Sequence, residues 1–369
     1  MKALKPCFLL LFLLVALMSS AQFRKYSNEF LNIGAGARGL GMGSAQVATV
    51  ADGTAGYWNP AGLVNVQDNV QLNLMHAEYF AGIGKYDYLN VALPTTSSKR
   101  TLGITALRFA VDDIMNTLFL VEPDGSINYN NIKSFSSADY GFLLSYSQNL
   151  KRTEHKSVNF GLNAKVIHRS VGSFAKAWGF GLDAGLQIIQ DRWRFGIVGR
   201  DISTTFNSWA FNFTEEEKEA LYLAKNDIPV KSTEMTSPRL ILGGAHVFPV
   251  GKRSGLLAEA NLDLTFDGKR NTVVSGDPVS VDPKLGLEYN YKDIIFIRGG
   301  VNNFQKGLAD GDTLNQKKVW IFQPSVGVGF RIQSFMIDYA FTNLANQSNP
   351  LFTHVFSLKM DFRRKRNEN

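Results

Sequence analysis

Residues 178–188 read WGFGLDAGLQI, with large apolar residues at every second position. Trp178, Phe180 and Leu182 fall on one set of alternate positions, and Asp183 and the glycines fall on the other. A period of two residues is the period of a β-strand. A strand with one apolar face and one small or polar face is typical of a membrane β-barrel.

About fourteen such segments follow one another from Val70 to the C-terminus, an even number within the range of bacterial outer-membrane barrels. The sequence therefore predicts an all-β fold, a transmembrane antiparallel β-barrel of about 14 strands. The predicted strands are centred near Leu72, Leu89, Thr105, Leu143, Leu162, Leu182, Ile197, Leu242, Ala260, Leu287, Ile297, Val328, Ile337 and Phe356.

The connections between these segments alternate between short and long. This alternation is typical of outer-membrane barrels, in which short turns face the periplasm and long loops face outwards. One long connection contains TEEEKEALYLAKN, residues 214–226, in which Thr214 before three glutamates predicts a short capped helix. The predicted long loops are residues 112–137, 168–177, 203–238, 267–283 and 302–318.

Charged residues inside the predicted strands test this interpretation, because one lysine or arginine facing lipid at the bilayer midplane costs about 2–4 kcal/mol. Arg108 and Arg298 do not fit, and both lie in segments that alternate poorly. Residues 102–111 change parity near Arg108, which predicts a bulge. Ten charges fall on the side away from lipid: Lys165, Asp183, Arg194, Glu259, Asp263, Glu288, Arg331, Asp338, Lys359 and Asp361.

The N-terminus of the chain indicates export. Residues 1–21 combine two lysines, the apolar run 7–18 and small residues, which is the pattern of a signal peptide. Cys7 is the only cysteine, so the exported chain would have no disulfide. Basic residues are scattered along the chain, so the net charge of +7 does not predict a nucleic-acid partner. The predicted domains are 1–21 signal peptide, 22–68 N-terminal hatch or plug, 69–362 barrel and 363–369 basic periplasmic tail.

A glycine-rich stretch precedes the first predicted barrel strand, and residues 34–39 match the pattern G-x-G-x-x-G. A dinucleotide-binding loop needs a strand before it, a long helix after it and a βαβ unit around it. Here Asp52-Gly53 ends any helix early, and only strands follow. The glycines are better explained by close backbone packing. A barrel of about 14 strands leaves a lumen, which this segment is predicted to plug.

Three runs in this segment, RGLGMG at 38–43, VATVAD at 47–52 and YWNPAGL at 57–63, resemble the N-terminal signature of the PorV/PorQ family. These are outer-membrane proteins of Bacteroidota, related to the long-chain fatty-acid transporter FadL. The resemblance implies a 14-stranded barrel with a hatch and a link to type IX secretion, and WNPAGL favours a paralogue of PorV. The residues expected to hold the hatch, with a structural role, are Gly39, Gly41, Gly43, Asp52, Trp58, Asn59, Pro60 and Gly62.

The sequence contains no HExxH, CxxC or G-x-S-x-G motif, and its five histidines are widely separated. It therefore predicts a protein that is not an enzyme and has no catalytic, metal or cofactor site. The leading hypothesis is a partner-binding subunit of type IX secretion or surface attachment, whose translocon or client protein docks on loops 112–137 and 203–238. The alternative is a FadL-like channel for hydrophobic small molecules, gated by the hatch. A third hypothesis is a lipid hydrolase that uses luminal acids such as Glu259.

Overall fold

The structure is a computed structural model of the chain. It describes residues 22–23, 27–66, 69–95, 99–122, 124–229, 232–308, 318–344 and 352–363. The predicted signal peptide and almost all of the predicted basic tail lie outside these ranges. Within the described residues, no helix combines the length and the hydrophobicity needed to cross a bilayer.

Fourteen antiparallel strands form a closed barrel, which confirms the predicted fold class. The last strand pairs with the first, from Arg363–Asn69 to His354–Glu78, so the sheet has no free edge around its circumference. Every predicted strand centre lies within one of these strands. The strands β1–β14 are Asn69–Tyr79, Gly84–Pro94, Arg100–Asn116, Lys133–Arg152, Lys156–Val171, Ala175–Gln190, Trp193–Arg200 with Thr205–Phe211, Ser232–Thr236 with Arg239–Val250, Ser254–Thr265, Ser280–Tyr291, Ile295–Leu308, Lys318–Ile332, Phe335–Thr342 and Thr353–Arg363.

Strands β7 and β8 are each interrupted at the same height. The lower halves pair with each other through Arg200 and Arg239, and the upper halves pair through Thr205 and Thr236. A two-residue strand, Gln22–Phe23, adds to the upper half of β8 in parallel orientation. Another two-residue strand, Val274–Ser275, pairs with the start of β10. Near these strands the wall therefore extends further outwards than the outer end of β9.

The apolar positions of the strands face outwards, as predicted. Trp178, Phe180 and Leu182 expose 58%, 41% and 36% of their surface, whereas Lys165 and Asp183 are buried inside the barrel. A soluble barrel would have the reverse arrangement, because its apolar faces would form the core. The outer surface therefore suits membrane lipid, and the protein is built for the outer membrane.

The two arginines that did not fit the charge pattern have different explanations. Arg108 lies on the outward side between buried Leu107 and half-buried Phe109, and its guanidinium is 3.4 Å from Asp87 on the adjacent strand. The predicted bulge at this position is wrong, since the pairing of β3 with β4 shifts between Val111 and Ile114. Arg298 points inwards and is almost fully buried.

The connections alternate as predicted. At one end of the barrel, each connection between two strands is two to five residues long. At the other end the longest is 212–231, which contains helix α3, here residues Glu215–Leu223. Thr214 and Glu217 form the predicted capping box with each other's backbone amides. The predicted loop 168–177 is wrong, because β5 and β6 remain paired up to Val171 and Ala175.

The N-terminal segment, residues 27–66, lies inside the barrel and is almost entirely buried. It contains two short α-helices, α1 (Ala37–Gly41) and α2 (Ala55–Trp58), and two 3-10 turns, Glu29–Asn32 and Pro60–Asn65. The α1 helix contacts strands β11–β14, and the second 3-10 turn contacts β3–β6. The segment therefore bridges opposite parts of the inner wall.

Candidate functional site

The N-terminal segment packs against one apolar sector of the inner wall. Its apolar side chains, including Trp58 and Leu63, join a buried cluster with inward residues such as Tyr86, Tyr88 and Leu107. Strands β1–β5 and the last two strands supply this sector. Burial of aromatic and aliphatic side chains at about 25 cal/mol per Å² supplies the non-directional part of the attachment.

Trp58 and Asn59 fix the path of the segment by hydrogen bonds to the backbone. The indole of Trp58 donates to the carbonyl of Ala35 at 2.7 Å. The side-chain amide of Asn59 donates to the carbonyls of Val47 and of Leu186 on β6, both at 3.0 Å. Pro60 follows in the first position of a 3-10 turn, where a missing N–H is tolerated. The WNP run thus connects the segment to itself and to the wall.

Tyr57 makes a similar internal link that sequence reasoning did not identify. Its hydroxyl accepts from the Gly34 N–H at 2.8 Å and donates to the Leu31 carbonyl at 2.7 Å. We expect Tyr57→Phe to lower the free energy of unfolding by about 1 kcal/mol, because the buried Gly34 N–H loses its partner and the Leu31 carbonyl keeps only Arg200 at 3.4 Å. Urea titration of the detergent-solubilised protein measures this. Tyr129→Phe, at an exposed loop residue, should leave the midpoint unchanged, and equal losses would contradict the assignment.

The predicted hatch glycines lie where backbones pass close together. At Gly43 the backbone has a positive φ of 61°, and an added Cβ would lie 2.4 Å from the amide nitrogen of Val301 on β11. Gly39 faces Gln46 and Trp58, Gly41 faces the backbone of Gly327, and Gly62 faces the carbonyl of Val50. The helix after the G-x-G-x-x-G pattern is only five residues long, so the surroundings do not resemble a dinucleotide site.

Asp52 stands at a bend that leads into α2. Its Oδ1 accepts from the Thr54 N–H at 2.9 Å and from the Thr54 hydroxyl, and its Oδ2 is 3.8 Å from Lys359 on β14. The next residue, Gly53, donates its N–H to Gln71 on β1 at 2.7 Å. Asp52 therefore shapes the local turn and faces one wall cation.

A buried ion network holds α1 to the opposite wall. Arg38 forms a two-point contact with Glu288 on β10, at 2.8 and 3.0 Å. Arg298 on β11 binds the same carboxylate at 2.6 Å and also binds Asp338 on β13 at 2.6 Å. Arg38 lies 250 residues from Glu288 and Asp338 lies 40 residues from Arg298, so spacing in the chain carried no signal for these contacts, whereas Glu288 and Arg298 face each other on neighbouring strands.

Glu259 is also occupied by the N-terminal segment. Its two carboxylate oxygens accept from the Ala48 N–H at 2.8 Å and from the Thr49 hydroxyl. These contacts give the carboxylate a role in attachment, and nothing in them favours the hydrolase hypothesis. Among the described residues, no three histidine, cysteine or acidic side chains are grouped as a metal site would require.

Above the N-terminal segment, at the long-loop end, the lumen widens into a cavity of about 670 Å³, here called the outer cavity. Its apolar side is formed by Phe30, Ile33 and Leu40 of the segment, with Phe80 and Phe109 from the wall. Its polar side carries amides and charges: Asn302, Asn303, Gln305, Gln323, Glu29, Asp139, Arg169, Arg239, Asp263, Arg270, Asp282 and Lys284. Sequence analysis placed Asp263 in the lumen but did not bring these residues together.

The fold is similar to that of outer-membrane channels of known structure. The Pseudomonas putida toluene transporter TodX matches with a TM-score of 0.55 at 13% identity, over 89% of this chain and 98% of its own. The CymD monoaromatic hydrocarbon channel gives 0.53 at 15% identity, over 90% and 99%. The Ralstonia pickettii toluene transporter TbuX gives 0.52 at 13% identity, over 89% and 98%. At these identities the likeness is one of fold, a closed antiparallel β-barrel.

No protein-family model matches the sequence, and no curated protein matches it. The described architecture thus agrees with the FadL-related part of the expected resemblance. The similar structures carry the names of channels and transporters, and none of the three is described as an enzyme. The comparisons lend no support to the expected role in type IX secretion, and the assignments to PorV/PorQ and to Bacteroidota stay predictions.

Proposed function

We propose that the protein is an outer-membrane channel for small molecules that carry an apolar part, with the N-terminal segment as its hatch. The observation that carries this proposal is the position of the outer cavity. It opens at the long-loop end, and residues Phe30, Ile33 and Leu40 of the segment form part of its lining. A molecule that enters from outside therefore meets the segment before it can cross the lumen.

The attachment of the segment supports a movable hatch. Much of its contact with the wall runs through hydrogen bonds and ion pairs, such as the Ala37 N–H to Ser357 at 2.7 Å and Arg38 to Glu288. A change in such contacts can release a packed element without unfolding the barrel, because the fourteen strands close the sheet by pairing with one another. The names of the similar barrels, which are hydrocarbon channels, agree with an apolar cargo. The protein is proposed to have no enzymatic activity.

A role as a partner-binding subunit in type IX secretion is the second candidate. One observation favours it: the connection 117–132 is folded on itself and exposes apolar side chains, among them Val121, Ile127 and Tyr129. Exposed apolar side chains in an outer loop suit protein contact. Co-isolation of a translocon or secreted protein that is lost when residues 117–132 are shortened would support this candidate over the channel.

A reversible lock on the hatch tests the channel. Ala37 and Ser357 are in contact, and the mature chain is predicted to lack cysteine, so Ala37→Cys with Ser357→Cys should allow a disulfide. We expect the oxidised pair to slow uptake of toluene by whole cells, whose lipopolysaccharide leaflet hinders unaided entry of apolar molecules, and dithiothreitol to restore it. The Ser357→Cys single variant serves as the control. Equal uptake in the oxidised and reduced states would contradict a hatch that opens near α1.

Deletion of residues 27–66 tests whether the segment is what closes the lumen. We expect a stable open conductance in planar bilayers, because a 14-stranded wall without its filling encloses a water-accessible lumen. Heat-modifiable migration in gels confirms that the barrel has folded. If the folded deletion variant conducts no more than the intact protein, the segment is not what closes the lumen.

A further inference from the structure

The outer cavity is charged, yet its cations are already paired. Asp263 is the centre of one group: its carboxylate binds Arg239 at 2.5 Å and Lys284 at 3.3 Å. The carboxylate is 2% exposed, so both cations are held by a desolvated acid. An incoming anion would have to compete with a carboxylate already in place.

The other two lining cations are paired in the same way. Arg169 contacts Asp139 at 2.8 Å, and Arg270 contacts Asp267 at 2.6 Å. Four cations and four acids line the cavity, so the lining carries no net charge, and Glu234 and Asp267 contact two of these cations from behind. Within the described lining, every arginine and lysine thus has a carboxylate partner. A carboxylate-headed ligand would have to compete with these carboxylates for every cation.

Two lining oxygen atoms remain without a protein partner. Oδ1 of Asp282 and Oγ1 of Thr342 are buried, and neither makes a hydrogen bond within the described structure. Both residues line the outer cavity, on opposite sides of the amide-bearing strands β11 and β12. Buried polar atoms are normally satisfied, so such atoms point to a hydrogen-bonding group that enters the cavity.

Resting on the channel proposed above, we propose that the outer cavity binds neutral amphiphiles. An uncharged head rich in hydroxyl groups would donate to Asp282 and exchange hydrogen bonds with Thr342, Asn303 and Gln323. A short apolar tail would lie on Phe109 and the other apolar side chains of the segment and wall. Pockets of this kind use apolar walls for affinity and a few polar groups for orientation.

Three probes with the same eight-carbon chain separate the possible head groups. Octyl glucoside, octanoate and octylamine, all below micelle concentration, are titrated into the protein in lipid nanodiscs. We expect octyl glucoside to bind at least about tenfold more tightly than octanoate, which corresponds to about 1.4 kcal/mol. Tighter binding of octanoate or octylamine overturns the inference, and so does the absence of binding by all three probes.

Asp263→Asn tests the charge argument more directly, because it leaves Arg239 and Lys284 without the carboxylate that they share. We expect octanoate to gain about tenfold or more in affinity in this variant. Asp183→Asn is the matched control: Asp183 is equally buried and holds Lys165 at 2.7 Å, but it does not line the outer cavity. An unchanged octanoate affinity in folded Asp263→Asn contradicts the proposed charge balance. If that variant does not fold, Asp139→Asn, which leaves Arg169 with the more distant carboxylate of Glu234 at 3.8 Å, replaces it.

The two proposals fail separately. Binding in nanodiscs requires only the outer cavity, whereas the cysteine lock measures passage through the lumen. If octyl glucoside binds more tightly but uptake does not depend on the lock, the proposed binding site stands and the proposed channel is contradicted. If uptake depends on the lock but octanoate binds more tightly, the proposed channel stands and the proposed preference for a neutral head group is contradicted.

Discussion

Replacing Arg298 with methionine should lower the free energy of unfolding by about 3–5 kcal/mol. The guanidinium is buried and joins Glu288 to Asp338, each at 2.6 Å. Methionine keeps an apolar stem of similar length but leaves Asp338 without this cation in a site of low dielectric constant. Breaking one side of a buried ion pair costs this much because the remaining charge cannot recover its hydration.

Urea titration in detergent, followed by the shift between folded and unfolded bands, measures the loss. Arg331→Met is the matched control, since Arg331 lies at the exposed end of β12, and we expect a change within about 0.5 kcal/mol. Adding Asp338→Asn to Arg298→Met should recover part of the loss by removing the unpaired charge. A full loss in Arg331→Met, or no recovery in the double variant, would show that the network does not hold the barrel.

The sequence was sufficient to predict the barrel, because the membrane imposes a local rule. Each spanning segment must alternate, and Trp178–Leu182 shows this within five residues. Outside the hydrocarbon layer the rule no longer applies. The extensions of β5 and β6 beyond His168 were therefore mistaken for a loop, and the breaks in β7 and β8 left no trace in the apolar pattern.

Arg298 shows why the interior was harder to predict. The run 294–297 is apolar on both sides, because Phe296 faces the lumen and packs 5.3 Å from the guanidinium of Arg298. With an apolar residue on the inner side, the parity of the strand cannot be read from the sequence. The partners of Arg298 come from two other strands, and Arg38 reaches Glu288 across 250 residues. Only the closed barrel brings these charges together.

Gly300→Val should force the N-terminal segment away from the wall. A Cβ at Gly300 would lie 2.1 Å from the carbonyl carbon of Met42 and 2.2 Å from the amide nitrogen of Gly43. Both are backbone atoms, and the adjacent Gly43 is itself held by its N–H to Ser325 at 3.0 Å. No side chain can rotate to make room, so α1 must shift. We expect a loss of about 3 kcal/mol in the free energy of unfolding.

The Gly300→Val barrel should also conduct ions, because the packing of the segment against β11 is what closes the lumen there. A displaced α1 no longer closes the lumen on the β11 side, so planar-bilayer recordings should show openings that the unmodified protein lacks. Gly299→Val is the control: a Cβ there meets nothing closer than 4.0 Å, although valine changes the same strand in the same way. A general effect of valine on β11 would make both variants leak. A side chain introduced at position 300 points at the segment, whereas one at position 299 does not. Leakage confined to Gly300→Val therefore locates the closing contact at Met42 and Gly43.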